Sequence, residues 1–510
     1  MTEVCRGWYR GKLGDLVDYG ATEKIEPSKI PRDAWVLELE DIERDTSRII
    51  SRKTAAQRKP KSTKNRFRAG DVLYGKLRPY LNKVVLADRD GFSTTEIVPL
   101  NAHGYAEQRF LFYWLKSTEF REYANSVSHG INMPRLGTEA GSAAPLVLAP
   151  LAEQRRLADR LDSLIAHADM CRVRLDRLLQ IIKRLRQSVL VAATSGKLTE
   201  EWRQRHPTES GKALLERIVA ARLLSAQSES HRRRIEELTD AVAGVEGNGN
   251  WFPSSWVSCT IGSIGDVCNG STPSRKEAGY WRGTIPWVSS GEVQNCEIFE
   301  TRERISQQGF ENSSVRLLPE GTVLVAMIGE GKTRGQSAIL RVGACINQNI
   351  AGVVIDHGLV EPKFLFYWLQ ARYEANREVG SGSGPQALNC QRVRELPVSL
   401  PPLGEQIAIA RRVDLLLSNV DKLMSQVASA RARVDSFMPA ILAKAFRGEL
   451  LPQDPNDEPA SVLLQRLRGE RQGHTESRGR SRPQSTSNRT SVALADGKAG
   501  SARHLSLSGE

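Results

Sequence analysis

Leu151-Ala152-Glu153-Gln154 opens a stretch that returns as Leu403-Gly404-Glu405-Gln406, residue 403 against residue 151, an offset of 252. Each copy runs without a breaker to a glycine, Gly196 in one and Gly448 in the other, at the same offset. In the first copy apolar residues fall at Leu157, Leu161, Leu164, Ala168, Cys171, Leu175, Leu178, Ile182, Leu185 and Val189. In the second they fall at Ile409, Val413, Leu416, Val420, Leu423, Val427, Ala430, Val434, Phe437 and Ile441. Both series alternate steps of four and three, which is the 3.5-residue period of helices that pair by knobs-into-holes packing. The expectation is two long helices, 150–196 and 402–448, that pair with each other within the chain. The alternative is two ordinary amphipathic helices, each lying on its own domain, although a heptad stripe is narrower than such helices usually show. At ~1.5 Å per residue each helix would be a rod of roughly 65 Å. That length is an upper limit, because Pro439 is expected to bend or break the last two turns of the second.

The regions before the two helices repeat as well. Gly14-Asp15 corresponds to Gly265-Asp266, and Gly70-Asp71-Val72-Leu73 to Gly321-Thr322-Val323-Leu324. Phe110-Leu111-Phe112-Tyr113-Trp114-Leu115 recurs unchanged as Phe364-Leu365-Phe366-Tyr367-Trp368-Leu369. That hexapeptide is apolar on every side, so it reads as buried packing and as proof of duplication. Strand-like runs at 34–39, 71–74, 83–87 and 96–100 and a helix at 109–123 make the first repeat a mixed α/β domain. The domains are therefore 1–149 and 251–401, separated by a short helix (214–224) and a linker within 197–250. The fold class is α+β: two pseudo-repeated α/β domains and two long paired helices. After the second long helix, 449–469 holds another short helix near 461–468, and 470–510, rich in Ser, Arg and Gly, is expected to be disordered.

Composition narrows the function. The 510 residues carry a net charge of +13, which suits a polyanionic partner. Seven cysteines without a CxxC pair indicate neither a disulfide framework nor a zinc site, and reduced cytoplasmic thiols fit best. No apolar run reaches the length of a membrane span, and MTEVCRGWYRGKLGD has no apolar core of a signal peptide. The expected location is the cytoplasm.

Between Arg44 and Lys83 there are 13 Lys and Arg against two Asp and Glu. Such a run can be a solvated loop. Here it leads into Gly75-Lys76-Leu77-Arg78-Pro79-Tyr80, a mixture able to neutralise phosphates and reach base edges. Catalytic signatures are missing: there is no GxSxG, no HExxH, no dinucleotide-type glycine turn and no Asn/Asp-Pro-Pro-aromatic sequence. Ala326-Met327-Ile328-Gly329-Glu330-Gly331-Lys332-Thr333 imitates a phosphate-binding loop, but the residues after Thr333 read as a turn and a strand where the template needs a helix. A polar loop over nucleic acid suits it better. The expectation is a chain with no catalytic residues, no metal and no cofactor of its own.

Pro150-Leu151-Ala152-Glu153-Gln154 and Pro402-Leu403-Gly404-Glu405-Gln406, followed by Gly196-Lys197-Leu198-Thr199-Glu200-Glu201-Trp202-Arg203 and Gly448-Glu449-Leu450-Leu451-Pro452-Gln453-Asp454, resemble the specificity subunit of a type I restriction–modification system. Gly270-Ser271-Thr272-Pro273 with Gly283-Thr284-Ile285-Pro286-Trp287-Val288 also resembles the start of many of its recognition domains. The resemblance covers roughly residues 8–468 and implies that each domain reads one half of a split duplex DNA site. It implies that an antiparallel coiled coil sets the gap. Modification (methyltransferase) subunits dock on the helices, restriction subunits join them, and S-adenosylmethionine, ATP and Mg act on those partners. Topology also favours the antiparallel arrangement, whereas Val413/Leu416 and Val420/Leu423 follow the parallel-dimer pattern.

The candidate DNA-binding residues are Arg58, Lys61, Lys64, Arg66, Lys76, Arg78, Tyr80, Asn82, His129 and Asn132 in the first domain. In the second they are Arg275, Lys276, Ser289, Ser290, Lys332, Arg334, Gln336, Ser381 and Gln386. The helix-pairing candidates are Leu157, Leu161, Leu164, Leu175, Leu178, Ile182, Leu185, Ile409, Val413, Leu416, Val420, Leu423, Val427 and Val434. Two other functions stay open: a stand-alone methyltransferase or nuclease, and a coiled-coil nucleic-acid tether without sequence preference.

Overall fold

The computed structural model describes residues 5–130, 132–206, 209–243, 252–329, 332–378 and 388–480. Two compact units divide the chain, Met1–Asp169 with Asp435–Glu510, and Met170–Val434. Each long helix, Leu151–Thr194 and Leu403–Phe446, contributes its first part to one unit and its last part to the other.

Each unit contains one α/β domain built on the same plan. A two-stranded antiparallel ribbon closes it, Tyr9–Lys12 with Pro145–Leu148 in the first and Val257–Thr260 with Pro397–Leu400 in the second. The rest of each domain is one five-stranded and one three-stranded sheet. The repeated hexapeptide lies on helices Gln108–Leu115 and Pro362–Ala371 and is buried in both, apart from a half-buried Phe112. It also ties domain to long helix. Tyr113 and Tyr367 donate to Asp162 and Asp414 on the long helices, while Trp114 Nε1 donates to Pro145 O and Trp368 Nε1 to Pro397 O on the closing ribbons, both at 2.9 Å.

The Glu-Gln pair that opens each long helix has a structural explanation. Gln154 accepts from Glu107 N at 2.9 Å and donates to Ala149 O at 2.7 Å, and Gln406 accepts from Glu361 N at 2.9 Å and donates to Pro401 O at 2.8 Å. Glu153 accepts from Trp8 Nε1 and Glu405 from Trp256 Nε1, each at 2.9 Å. All four side chains are buried, where an amide or carboxylate must find partners. The second copy satisfies its carboxylate more fully, because Glu405 also accepts from Thr199 at 2.7 Å and Arg203 at 2.6 Å. The corresponding positions of the first copy hold Leu451 and Pro455, and among the described residues Glu153 Oε1 has no hydrogen-bond partner. Burial accordingly pushes the Glu153 carboxyl above its usual range, against the Trp8 hydrogen bond and the charge of Arg156.

The long helices pack together as an antiparallel pair. Within the second unit Arg431 pairs with Asp176 and Arg186 pairs with Asp421 at 2.7 Å, so advancing along one helix means retreating along the other. Ile182, Val420 and Val427 form the seam there, with Leu175, Leu179 and Met424 against them. Within the first unit Leu157, Leu161, Leu164, Ile441, Leu442 and Ala445 share the core of the domain.

Leu175, Ile182, Val420 and Val427 occupy the seam as expected, whereas other expected positions are displaced by one residue. Leu178, Leu185 and Leu423 are each 44% exposed, and Leu179 and Met424 pack against the seam in place of Leu178 and Leu423. Likewise Leu417 is buried where Leu416 is only half-buried, and Val434 is half-buried. Ile409 and Val413 are buried in the core of the second domain. The physical reason is that a 4-3 series fits two adjacent phases, and the choice between them depends on which face the domain core covers.

Four further differences follow from tertiary packing. Pro439 lies inside Leu403–Phe446 without ending it. Burial of Ile441, Leu442 and Ala445 and the edge contacts of Phe446 with Phe110 and Trp114 outweigh the ~3 kcal/mol that an internal proline costs. The helix expected at 109–123 is two, Gln108–Leu115 and Thr118–Ser126, because Ser117 Oγ caps the second by accepting from Phe120 N. Part of the expected linker is a helix, Glu229–Ala243, held by buried Ile235 and Leu238 and by His231 and Arg222 on Asp266. The C-terminal helix Ala460–Arg480 runs past the expected start of the tail, and 481–510 lie outside the described residues.

Candidate nucleic-acid interface

In the first domain the basic run separates into cations held by the fold and cations facing solvent. Arg58 has 9% of its side chain exposed; its Nε donates to Val36 O at 3.0 Å and its terminal nitrogens pair with Glu40 and buried Asp41. Lys64, on strand Lys64–Phe67, is buried and bound to Glu38 at 3.0 Å. A charge inside the domain survives only when paired, so these two serve the fold. Arg66 is exposed on the same strand with Glu23 at 3.4 Å, and Lys61 is exposed.

The other candidates of this domain come together. Strand Val72–Gly75 leads into a loop carrying Lys76, Arg78, Tyr80 and Asn82. Arg78 and Asn82 both take left-handed backbone, φ 53° and 50°, which turns the loop sharply around Pro79–Leu81. A second loop, bearing His129 and Asn132, lies against it. Arg78 N donates to Pro134 O at 2.7 Å, Leu136 N to Lys76 O at 3.0 Å, and Arg78 Nη2 to Asn132 O at 3.5 Å. Tyr80, His129 and Asn132 are exposed, Lys76 and Arg78 are half-buried, and Asn82 is buried with Nδ2 3.5 Å from Asp45. Arg135, absent from the sequence-based candidates, sits between the loops. Nothing near it in the sequence sets it apart.

The second domain keeps the frame of the first of these loops with different residues. Strand Val323–Ala326 leads into the loop of Lys332, Arg334 and Gln336, and Leu388 N donates to Met327 O at 2.9 Å as Leu136 N does to Lys76 O. Tyr373 OH donates to Lys332 O at 2.6 Å. Lys332 is exposed, Gln336 half-buried and Arg334 buried. Gly335 N returns to Ala326 O and the chain re-enters a strand at Ser337–Leu340, so no helix follows Thr333. Glu330, Gly331, Ser381 and Gln386 lie outside the described residues.

The remaining candidates stand elsewhere in that domain. Arg275 lies 3.5 Å over the Trp281 ring, and both of its terminal nitrogens bind Glu303. Those hydrogen bonds hold the Glu303 carboxyl below the usual carboxylate range. Lys276 is exposed beside it. Ser289 caps a turn by binding Glu292, through N at 2.9 Å and Oγ at 3.0 Å, and Ser290 is half-buried in that turn. Among the described residues no group of His, Cys, Asp and Glu could hold a metal ion, and no helix is long and apolar enough to cross a membrane.

Comparison with known proteins agrees with this geometry. Residues 253–427 match the type I restriction modification DNA specificity domain. The StySPI specificity subunit of Salmonella potsdam is 25% identical over 388 residues, 73% of either chain. The EcoBI specificity subunit of Escherichia coli is 27% identical over 391 residues, 71% of this chain and 72% of that one.

The chain is similar to type I restriction enzyme specificity subunits over 71–73% of its length.

A solved chain from a study of complex assembly and conformational transition of the type I R-M system shares the fold. Its TM-score is 0.64 at 19% identity, covering 88% of this chain and all of that one. The matched family domain covers the second repeat. The first repeat shares the frame of that domain, with the hexapeptide and the Glu-Gln clamp in the same places.

Proposed function

We propose that this chain is the DNA-recognition subunit of a type I restriction–modification complex and has no activity of its own. Its two domains bind the unlike halves of an asymmetric, bipartite duplex site. The paired long helices set the gap between the halves and dock the modification and restriction subunits. S-adenosylmethionine, ATP and Mg2+ are used on those partner chains, in the cytoplasm.

One observation carries this reading: in both domains the same frame presents a loop after the corresponding strand, tied by the same backbone bond, and the residues on those loops differ. Lys76, Arg78, Tyr80, His129 and Asn132 occupy the first frame, Lys332 and Gln336 the second. A reader of two different half-sites needs a common scaffold with dissimilar contact edges. Exposed lysines such as Lys61 and Lys276 supply salt-dependent affinity, and the loop side chains supply discrimination. Helix pairing within the chain supports the spacing role.

Mapping methylated adenines in a host that carries the complete system tests the proposal. A two-part motif with unlike halves and a fixed gap is expected. A motif without a gap would overturn it. Purified chain alone, incubated with duplex DNA and labelled methyl donor, should transfer no label, and incorporation would favour the enzyme reading. Equal binding of duplex DNA, single strands and structured RNA would favour a tether.

A further inference from the structure

Arginine reads guanine through two parallel N–H groups directed at O6 and N7, so the useful arginine has a free fork and a fixed orientation. Few arginines around the candidate loops meet both conditions. Arg58 and Arg275 have their terminal nitrogens closed on carboxylates, and Arg78 gives Nη2 to Asn132 O.

Arg135 is built differently. Its backbone is hydrogen-bonded in both directions to His129, N to O at 3.0 Å and O to N at 3.3 Å, and it bridges to Leu77 on the other loop. Its Nε lies 3.2 and 3.1 Å from the two carboxylate oxygens of Glu96. Among the described residues Nη1 and Nη2 have no hydrogen-bond partner, and the side chain is 49% exposed. A carboxylate that holds an arginine through Nε sets the plane of the guanidinium and leaves its outer edge available, as bidentate recognition requires.

The duplicated frame supplies an independent observation. Leu136 and Leu388 make the same backbone bond, which aligns Arg135 with Ala387. Tyr74 pairs with Val98 as Val325 pairs with Ala351, which aligns Glu96 with Asn349. Both members of the pair are therefore missing from the sequence of the second repeat, while the Leu388 backbone bond and the strand pairing beside them are kept. An ion pair serving the frame would be expected in both.

We propose that Arg135, positioned by Glu96, reads a guanine in the half-site bound by the first domain. The inference rests on the DNA-recognition function proposed above. The test uses the full chain in complex with its modification subunits and a pool of random-sequence duplex DNA, from which bound sequences are recovered. Wild type should enrich a two-part motif. Arg135→Ala and Arg135→Lys should each lose preference for one G·C pair in one half, by roughly 5- to 150-fold, with the other half unchanged. Arg135→Lys should also keep affinity for unrelated duplex, because it retains the charge. Glu96→Gln should weaken the same position by a smaller factor. A motif unaltered in both Arg135 variants, or altered only at an A·T pair, overturns the assignment. Uniform weakening at every position by both variants would also overturn it, marking Arg135 as a phosphate contact. No motif from wild type would overturn the recognition function itself, so the two failures are distinguishable.

Discussion

The ruler role makes a length prediction. Asp176 pairs with Arg431, so 173–179 face 428–434 on the partner helix. Deleting both segments removes one heptad from each helix, together with Leu175 and Leu179 of the seam. The junctions keep their phase to within ~20°, because seven residues make almost two turns. The Arg186–Asp421 pair and the seam of Ile182 and Val420 remain to hold the helices together. At ~1.5 Å per residue the paired helices shorten by about 10 Å. With a rise of ~3.4 Å per base pair, the gap in the recognised sequence should fall by about three base pairs. The assay is methylation mapping in a host whose only specificity subunit is the deleted chain, with thermal unfolding to confirm that it folds. Both half-sites should be unchanged. A folded variant that methylates sites with the original gap would refute the ruler mechanism.

Other consequences are separable. Glu405→Ala leaves Arg203, Thr199 and Trp256 facing an empty buried site and should cost about 3–5 kcal/mol in urea unfolding of the full chain; a loss under ~1 kcal/mol would show the clamp to be dispensable. Glu153 binds its proton more tightly folded than unfolded, so its contribution to stability is most favourable at low pH and falls as pH rises through the folded value. Glu153→Gln should therefore flatten the stability–pH curve above the ordinary carboxylate range, and an unchanged curve would contradict this. Lys61→Ala should weaken binding to all duplexes alike and lower the salt slope by about one, whereas Arg58→Ala should destabilise the fold by leaving Asp41 unpaired. A salt slope reduced by Arg58→Ala and left intact by Lys61→Ala would reverse the division made between them.

The duplication and the two long helices can be read from the chain alone. Each rests on spacing or on short repeated words, such as the 4-3 apolar series, the hexapeptide and the Glu-Gln pair, and these report local geometry directly. Which phase of the 4-3 series forms the seam could not be read that way, since Leu178 and Leu179 satisfy the pattern almost equally and the surrounding core chooses between them. The helix Glu229–Ala243 was hidden for a related reason: its composition is that of a linker, and Ile235 and Leu238 find their partners only in the folded second unit. The same holds for the interface. A basic run announces charge, but whether a cation is available depends on carboxylates far away in sequence, such as Asp41 for Arg58, Glu38 for Lys64 and Glu96 for Arg135. Periodicity is a property of neighbours along the chain and survives in one dimension, whereas charge pairing is a property of neighbours in space and exists only once the chain has folded.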